Sequence, residues 1–153
     1  TTTDAATLYI AGAPAAGTNM TLTSAYALWI DAGIARFDGH IQSVQTTKPT
    51  IGTPTNCGTG SPTASVTDGS TDTAGSYTVT AGTGTPGACR TVITFNAAYI
   101  TAPKAVILSR SVEGSNGGDA AYLQNKSTTT ITTEFANNPA ASEVNLIYYW
   151  VIE

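Results

Sequence analysis

The sequence predicts an all-β protein: a short-stranded N-terminal stalk followed by an antiparallel β-sandwich head, assembled as a homotrimer. Three observations lead there. Only 10% of the 153 residues are charged, against about 25% in an average domain. Thr and Gly take the places that Lys and Glu usually occupy, and Thr favours strands. No segment carries an apolar period of 3.6 residues beyond two turns, whereas period-two alternation recurs through the second half of the chain. Finally, Thr21 to Ile41, TLTSAYALWIDAGIARFDGHI, places large side chains on both faces of a thin ribbon. Such a ribbon cannot bury both faces alone.

That ribbon organises the first part of the chain. Tyr26, Leu28 and Ile30 alternate with Ala25, Ala27 and Trp29 on one strand. Asp31-Ala32-Gly33 turns the chain, because Gly reaches positive φ without steric cost. Ile34 to Phe37 returns, and Asp38-Gly39 turns again. Burying Trp29, Ile30 and Phe37 would contribute roughly 1.5–3 kcal/mol each, and a threefold arrangement supplies the shared core. Tyr26, Leu28, Trp29, Ile30 and Phe37 are therefore the expected trimer interface. Thr7 to Ile10, TLYI, echoes Ala27 to Ile30, ALWI, at an offset of 20 residues, a two-copy strand-turn repeat. An ordinary N-terminal meander packed on the C-terminal part is the plainer alternative.

Thr46 to Thr63 is dense in Pro, Gly and Thr, and its prolines remove backbone donors and stiffen the chain. The boundary falls near Lys48-Pro49, giving a stalk over 1–48 and a head over 49–153. Strands then follow at sandwich spacing. Tyr77 and Val79 share one face, as do Ile93 and Phe95. Val106, Leu108 and Val112 share another with Arg110 among them. Ala120 to Leu123 is short. Thr128 to Phe135 buries Ile131 and Phe135 and exposes its threonines. Val144 to Ile152, apolar on both faces, reads as a central strand or one caught between two layers. Asn96 to Tyr99 has room for one helical turn before Pro103.

The run YALWIDAG…ARFDGHI, followed by a Thr-rich stretch and a proline, resembles the shaft-to-tip junction of tailed-bacteriophage fibre proteins. The resemblance covers the first third of the chain well and extends more loosely to the C-terminus. It implies a virion tail-fibre tip that acts outside the cell, binds a bacterial surface glycan or protein, and does no chemistry. Two other readings are a structural virion part, such as a head fibre or decoration protein, and a secreted bacterial adhesin or carbohydrate-binding module. The TTTDAAT start suits a fragment of a longer fibre.

Composition and motifs agree with binding rather than catalysis. The net charge is −4, and the basic residues are scattered along the chain where a nucleic-acid partner would want them clustered. No apolar run reaches the roughly 18 residues of a membrane span. His40 is the only histidine, so neither a multi-His metal site nor a Cys/His zinc cluster is available within one chain. No Gly-x-Ser-x-Gly elbow occurs. Asp68 with Asp72, and Glu113 with Asp119, lie in Gly-rich loops where acids usually serve turns. No metal and no cofactor is expected. Cys57 and Cys89 leave two options open: a disulfide worth roughly 3–4 kcal/mol in chain-entropy terms, or two free thiols in a reducing compartment. Glu113 to Tyr122, EGSNGGDAAY, is the longest loop between two strands. Its acceptors beside a tyrosine ring suit a saccharide, so Glu113, Asn116, Asp119 and Tyr122 are the expected receptor contacts. A plain hairpin loop is the alternative.

Overall fold

The computed structural model describes residues 13–19, 21, 28, 34–38, 40–84, 87–111, 120–137 and 139–153. By contacts the chain divides into two units, 1–41 and 42–153. Every described residue of the first unit is exposed, including the apolar Leu28 and Phe37 at 64% and 63%. Most of the expected ribbon, with Tyr26, Trp29 and Ile30, lies outside the described residues. Residues 42–48, on the stalk side of the boundary read at Lys48-Pro49, count with the second unit. Lys48 donates its Nζ to the Val66 carbonyl at 2.8 Å and to Asp68 Oδ1 at 2.6 Å. Gln45 Nε2 donates to Asp72 Oδ2 at 2.6 Å.

The second unit is all-β. Its strands are β1 (Thr50–Ile51), β2 (Thr63–Val66), β3 (Ala74–Thr80), β4 (Arg90–Thr94), β5 (Ala105–Arg110), β6 (Ala121–Lys126), β7 (Thr130–Phe135) and β8 (Val144–Ile152). No helix occurs among the described residues, and the turn considered at Asn96 to Tyr99 is irregular. The strands form two four-stranded sheets, ordered β1-β4-β7-β6 and β2-β3-β8-β5, and every pairing is antiparallel. Taken as consecutive pairs, the strands make four arms, each crossing from one sheet to the other. The arms lie in the order β1β2, β3β4, β7β8, β5β6. The last arm of the chain is thus inserted between its two predecessors, so β8 is central, flanked by β3 and β5.

The inward faces follow the period-two pattern. Tyr77 and Val79 of β3 and Ile147, Tyr149 and Val151 of β8 meet Ile93 of β4 and Ile131 and Phe135 of β7 in one core, which Phe95 also joins. Each fully buried side chain of this kind contributes about 1.5–3 kcal/mol.

Two expectations about these faces are corrected. Thr133 is buried although the threonines of its strand were expected outside, and Thr91 on β4 is buried as well. Tyr77 explains both: its hydroxyl lies 2.7 Å from Thr133 Oγ1, which lies 2.8 Å from Thr91 Oγ1. A buried hydroxyl is tolerated when it is hydrogen-bonded. Burial pushes the Tyr77 hydroxyl pKa up to about 12. The second correction concerns β8. It is central as expected, but only Asn145, Ile147, Tyr149 and Val151 are buried, while Val144, Tyr148, Trp150 and Ile152 face outward. Arg110 does share the inner face of β5 with Val106 and Leu108, Val112 lying outside the described residues, and Glu143 Oε1 accepts from Arg110 at 2.8 Å. Cys57 and Cys89, both fully buried, are joined as a disulfide that ties the loop after β1 to the start of β4.

Candidate binding face

Of the four expected receptor contacts, Glu113, Asn116 and Asp119 lie outside the described residues. Tyr122 is on the outer face of β6. Register places it beside Glu134 of β7, which in turn pairs with Arg90 of β4. The Tyr122 hydroxyl donates to Glu134 Oε1 at 2.5 Å, and Arg90 Nε donates to Oε2. These two donors hold the Glu134 carboxyl below the usual carboxylate range, and the same hydrogen bond pushes Tyr122 up. With Thr130 and Thr132 of β7 also on its outer side, this sheet presents a mainly polar surface, interrupted by the exposed Val92, on which Arg90, Glu134 and Tyr122 satisfy one another.

The outer face of the other sheet differs. Tyr148 and Trp150 project from β8 with 47% and 53% of their surface exposed, and Ile107 and Ile152 are also exposed. Register places Tyr148 between Ser76 of β3 and Ser109 of β5, and Trp150 between Ala74 and Ile107. Beside Tyr148 lies a shallow, wide-open groove of about 460 Å³, lined by Thr67 to Ser70, Ala74 to Ser76 and Tyr149. These exposed side chains gather on one sheet face rather than scattering singly over the surface.

The wall of this groove is the β2–β3 loop, DGSTDTAG, and its side chains fix its shape. Gly69 sits at φ 82°, a conformation open to glycine. Ser70 Oγ accepts from the Ser76 amide at 3.1 Å, and Thr71 Oγ1 accepts from the Ala74 amide at 3.1 Å, loop-closing bonds of the kind that Ser and Thr offer the backbone. At Gly75 a side chain is excluded: a Cβ there would run into Ser70 and would lie 2.7 Å from the Tyr149 hydroxyl. That hydroxyl donates to the Thr71 carbonyl at 2.6 Å, and burial, with the nearby Asp72 carboxylate, pushes its pKa up strongly.

Asp72 anchors the loop from behind. Its buried carboxylate accepts from the successive amides of Asn96 and Ala97 at 2.8 and 2.9 Å and from Gln45, whose side-chain carbonyl takes the Asp72 amide in return. Tyr99 donates its hydroxyl to the Asp72 carbonyl at 2.9 Å. The acid read as a turn residue is therefore the point where the β2–β3 loop, the β4–β5 loop and residues 42–48 meet. Asp68, in contrast, projects into solvent, with the Lys48 ammonium beside it holding its carboxyl below the usual range.

The groove holds hydroxyls, one exposed carboxylate and the Tyr148 ring. His40 is exposed, and no group of three or more His, Cys, Asp or Glu gathers among the described residues. Sequence reasoning passed over Tyr148 and Trp150 because a strand apolar on both faces does not announce which side is covered. Comparisons with family models, curated proteins and solved structures return no match.

Proposed function

We propose that the chain is a homotrimeric receptor-binding tip of a tailed-bacteriophage fibre, with a stalk formed by the N-terminal residues and a β-sandwich head. On this reading it sits outside the cell, on the virion, and binds a host-surface glycan or protein without catalysis. The observation that carries the reading is the exposed aromatic row of β8, Tyr148 and Trp150, set on a rigid two-sheet scaffold beside a hydroxyl-lined groove.

Two further features support it. Leu28, Ile34, Phe37 and Ile41 are exposed in the single chain, a state that a shared threefold core would relieve. The Cys57–Cys89 disulfide is wholly buried and suits a protein that works outside a reducing cytoplasm. Light scattering of the full chain should give a threefold mass, and the labelled protein should adhere to some members of a panel of bacterial strains. A stable monomer would remove the trimer. Adhesion to no strain would favour a structural virion part.

A further inference from the structure

We infer that the groove beside Tyr148, extended along β8 to Trp150, is a binding site for a neutral oligosaccharide. Resting on the fibre reading above for its biological setting, the site itself follows from the chemistry of the face. A sugar ring has a C–H face that stacks on aromatic carbon and an edge of hydroxyls that seeks donors and acceptors. Residues two apart on a strand lie on the same side, about 6.6 Å apart along it, a distance comparable to one pyranose unit. Tyr148 and Trp150 are such a pair, and both rings are half exposed. Consecutive sugars of an extended chain can therefore rest on consecutive rings.

The surroundings of the pair supply the hydroxyl edge. Ser76 and Ser109 flank Tyr148 in register, and Asp68 lines the same groove, whereas the buried Ser70 hydroxyl is engaged by the Ser76 backbone. Only the Oδ1 oxygen of Asp68 is engaged by Lys48, which leaves Oδ2 to accept from a sugar hydroxyl. At Gly69 a Cβ would meet nothing within 4 Å, so the backbone there is open to a ligand.

Charge selects among sugars. Among the described residues Asp68 is the only charged one lining the groove, and Lys48 beside it is held by Asp68 and the Val66 carbonyl. The chain as a whole carries −4. Uronates and sialic acids would meet the Asp68 carboxylate, whose Lys48 partner is already engaged, whereas neutral hexoses and N-acetylhexosamines meet no such repulsion.

The test uses the full chain on an array of neutral hexose and N-acetylhexosamine oligosaccharides, polyuronate and polysialic acid. The same protein is assayed for adhesion to bacteria before and after periodate, which cleaves vicinal diols of surface sugars. Binding to a neutral oligosaccharide at least tenfold tighter than to either polyanion is expected, as is loss of adhesion after periodate. Tyr148→Ala and Trp150→Ala should each weaken saccharide binding at least tenfold, with melting temperature and oligomeric mass unchanged. Val92→Ser, on the outer face of the other sheet, should bind as the wild type does. Full binding in both aromatic variants, a preference for polyanions, or a changed mass in Trp150→Ala would overturn the site, the last by marking the face as a subunit contact. Adhesion that survives periodate, with a blank array, overturns the saccharide and leaves the fibre reading standing. Saccharide binding without adhesion to any strain does the reverse.

Discussion

The Tyr77 hydroxyl of β3 and Thr133 Oγ1 of β7 lie 2.7 Å apart, so the two sheets are joined by a hydrogen bond through the middle of their core. Thr91 continues the chain at 2.8 Å. Thr133→Val keeps the volume but leaves the Tyr77 hydroxyl and Thr91 without this partner, and a buried unsatisfied group costs about 1–3 kcal/mol. Tyr77→Phe leaves Thr133 its bond to Thr91 and should cost less, about 1 kcal/mol. Urea midpoints at unchanged slope will rank the two.

The core tyrosines predict alkaline unfolding. In the unfolded chain the Tyr77 hydroxyl loses its proton near pH 10, while in the fold it keeps it to about 12. The unfolded state thus binds fewer protons across that window, and stability falls with rising pH by about 1.4 kcal/mol per pH unit for this residue. Tyr149, also shifted upward, steepens the loss. The full contribution is present below pH 10. Tyr77→Phe should flatten the fall between pH 10 and 12 in denaturant titrations.

Asp72 should be the least replaceable acid of the head. Asp72→Asn sets an amide NH₂ among donors and removes the charge that Asn96, Ala97 and Gln45 all address. Charge-assisted bonds of this kind carry about 1.5–3 kcal/mol each, and a loss on the order of 3 kcal/mol is expected. Asp68→Asn, fully exposed, should be close to neutral. Thermal melts of the two variants will separate the roles.

Removing the disulfide should cost about 3–4 kcal/mol on the loop-entropy estimate, a drop on the order of 10 °C in melting temperature. Because both sulfurs are buried, reductant should act on the folded protein slowly and on the denatured protein at once. Cys57→Ala with Cys89→Ala, melted beside the wild type, checks the first statement, and timed thiol labelling checks the second.

The strands most legible in the sequence were those whose apolar residues alternate with polar ones. Tyr77 with Val79, Ile93 with Phe95, and Ile131 with Phe135 all point inward as period two requires. Thr133 follows the same parity, but its polarity argued it outward, and the partner that satisfies it and Thr91 is Tyr77, 56 residues from Thr133. Local pattern cannot supply a hydrogen bond across that span. The candidate face was missed for a related reason. In VNLIYYWVI both parities are apolar, so which of Tyr149 and Trp150 is covered depends on where the other sheet lies. Glu134 reads as a lone exposed acid until register sets Arg90 and Tyr122 on either side of it.

The position of β8 also sets the order of events in folding. Its ladder to β3 pairs Ala74 with Trp150 and Thr80 with Val144, contacts far apart in sequence, and such topologies fold in milliseconds to seconds rather than microseconds. During synthesis β3 and β5 leave the ribosome before the strand that belongs between them. Until β8 arrives, each presents an unpaired edge, and Val79, Val106 and Leu108 await their cover. On the trimeric reading proposed above, neighbouring nascent chains would hold these edges at high local concentration. Strand exchange between chains is the misfolding hazard built into this strand order.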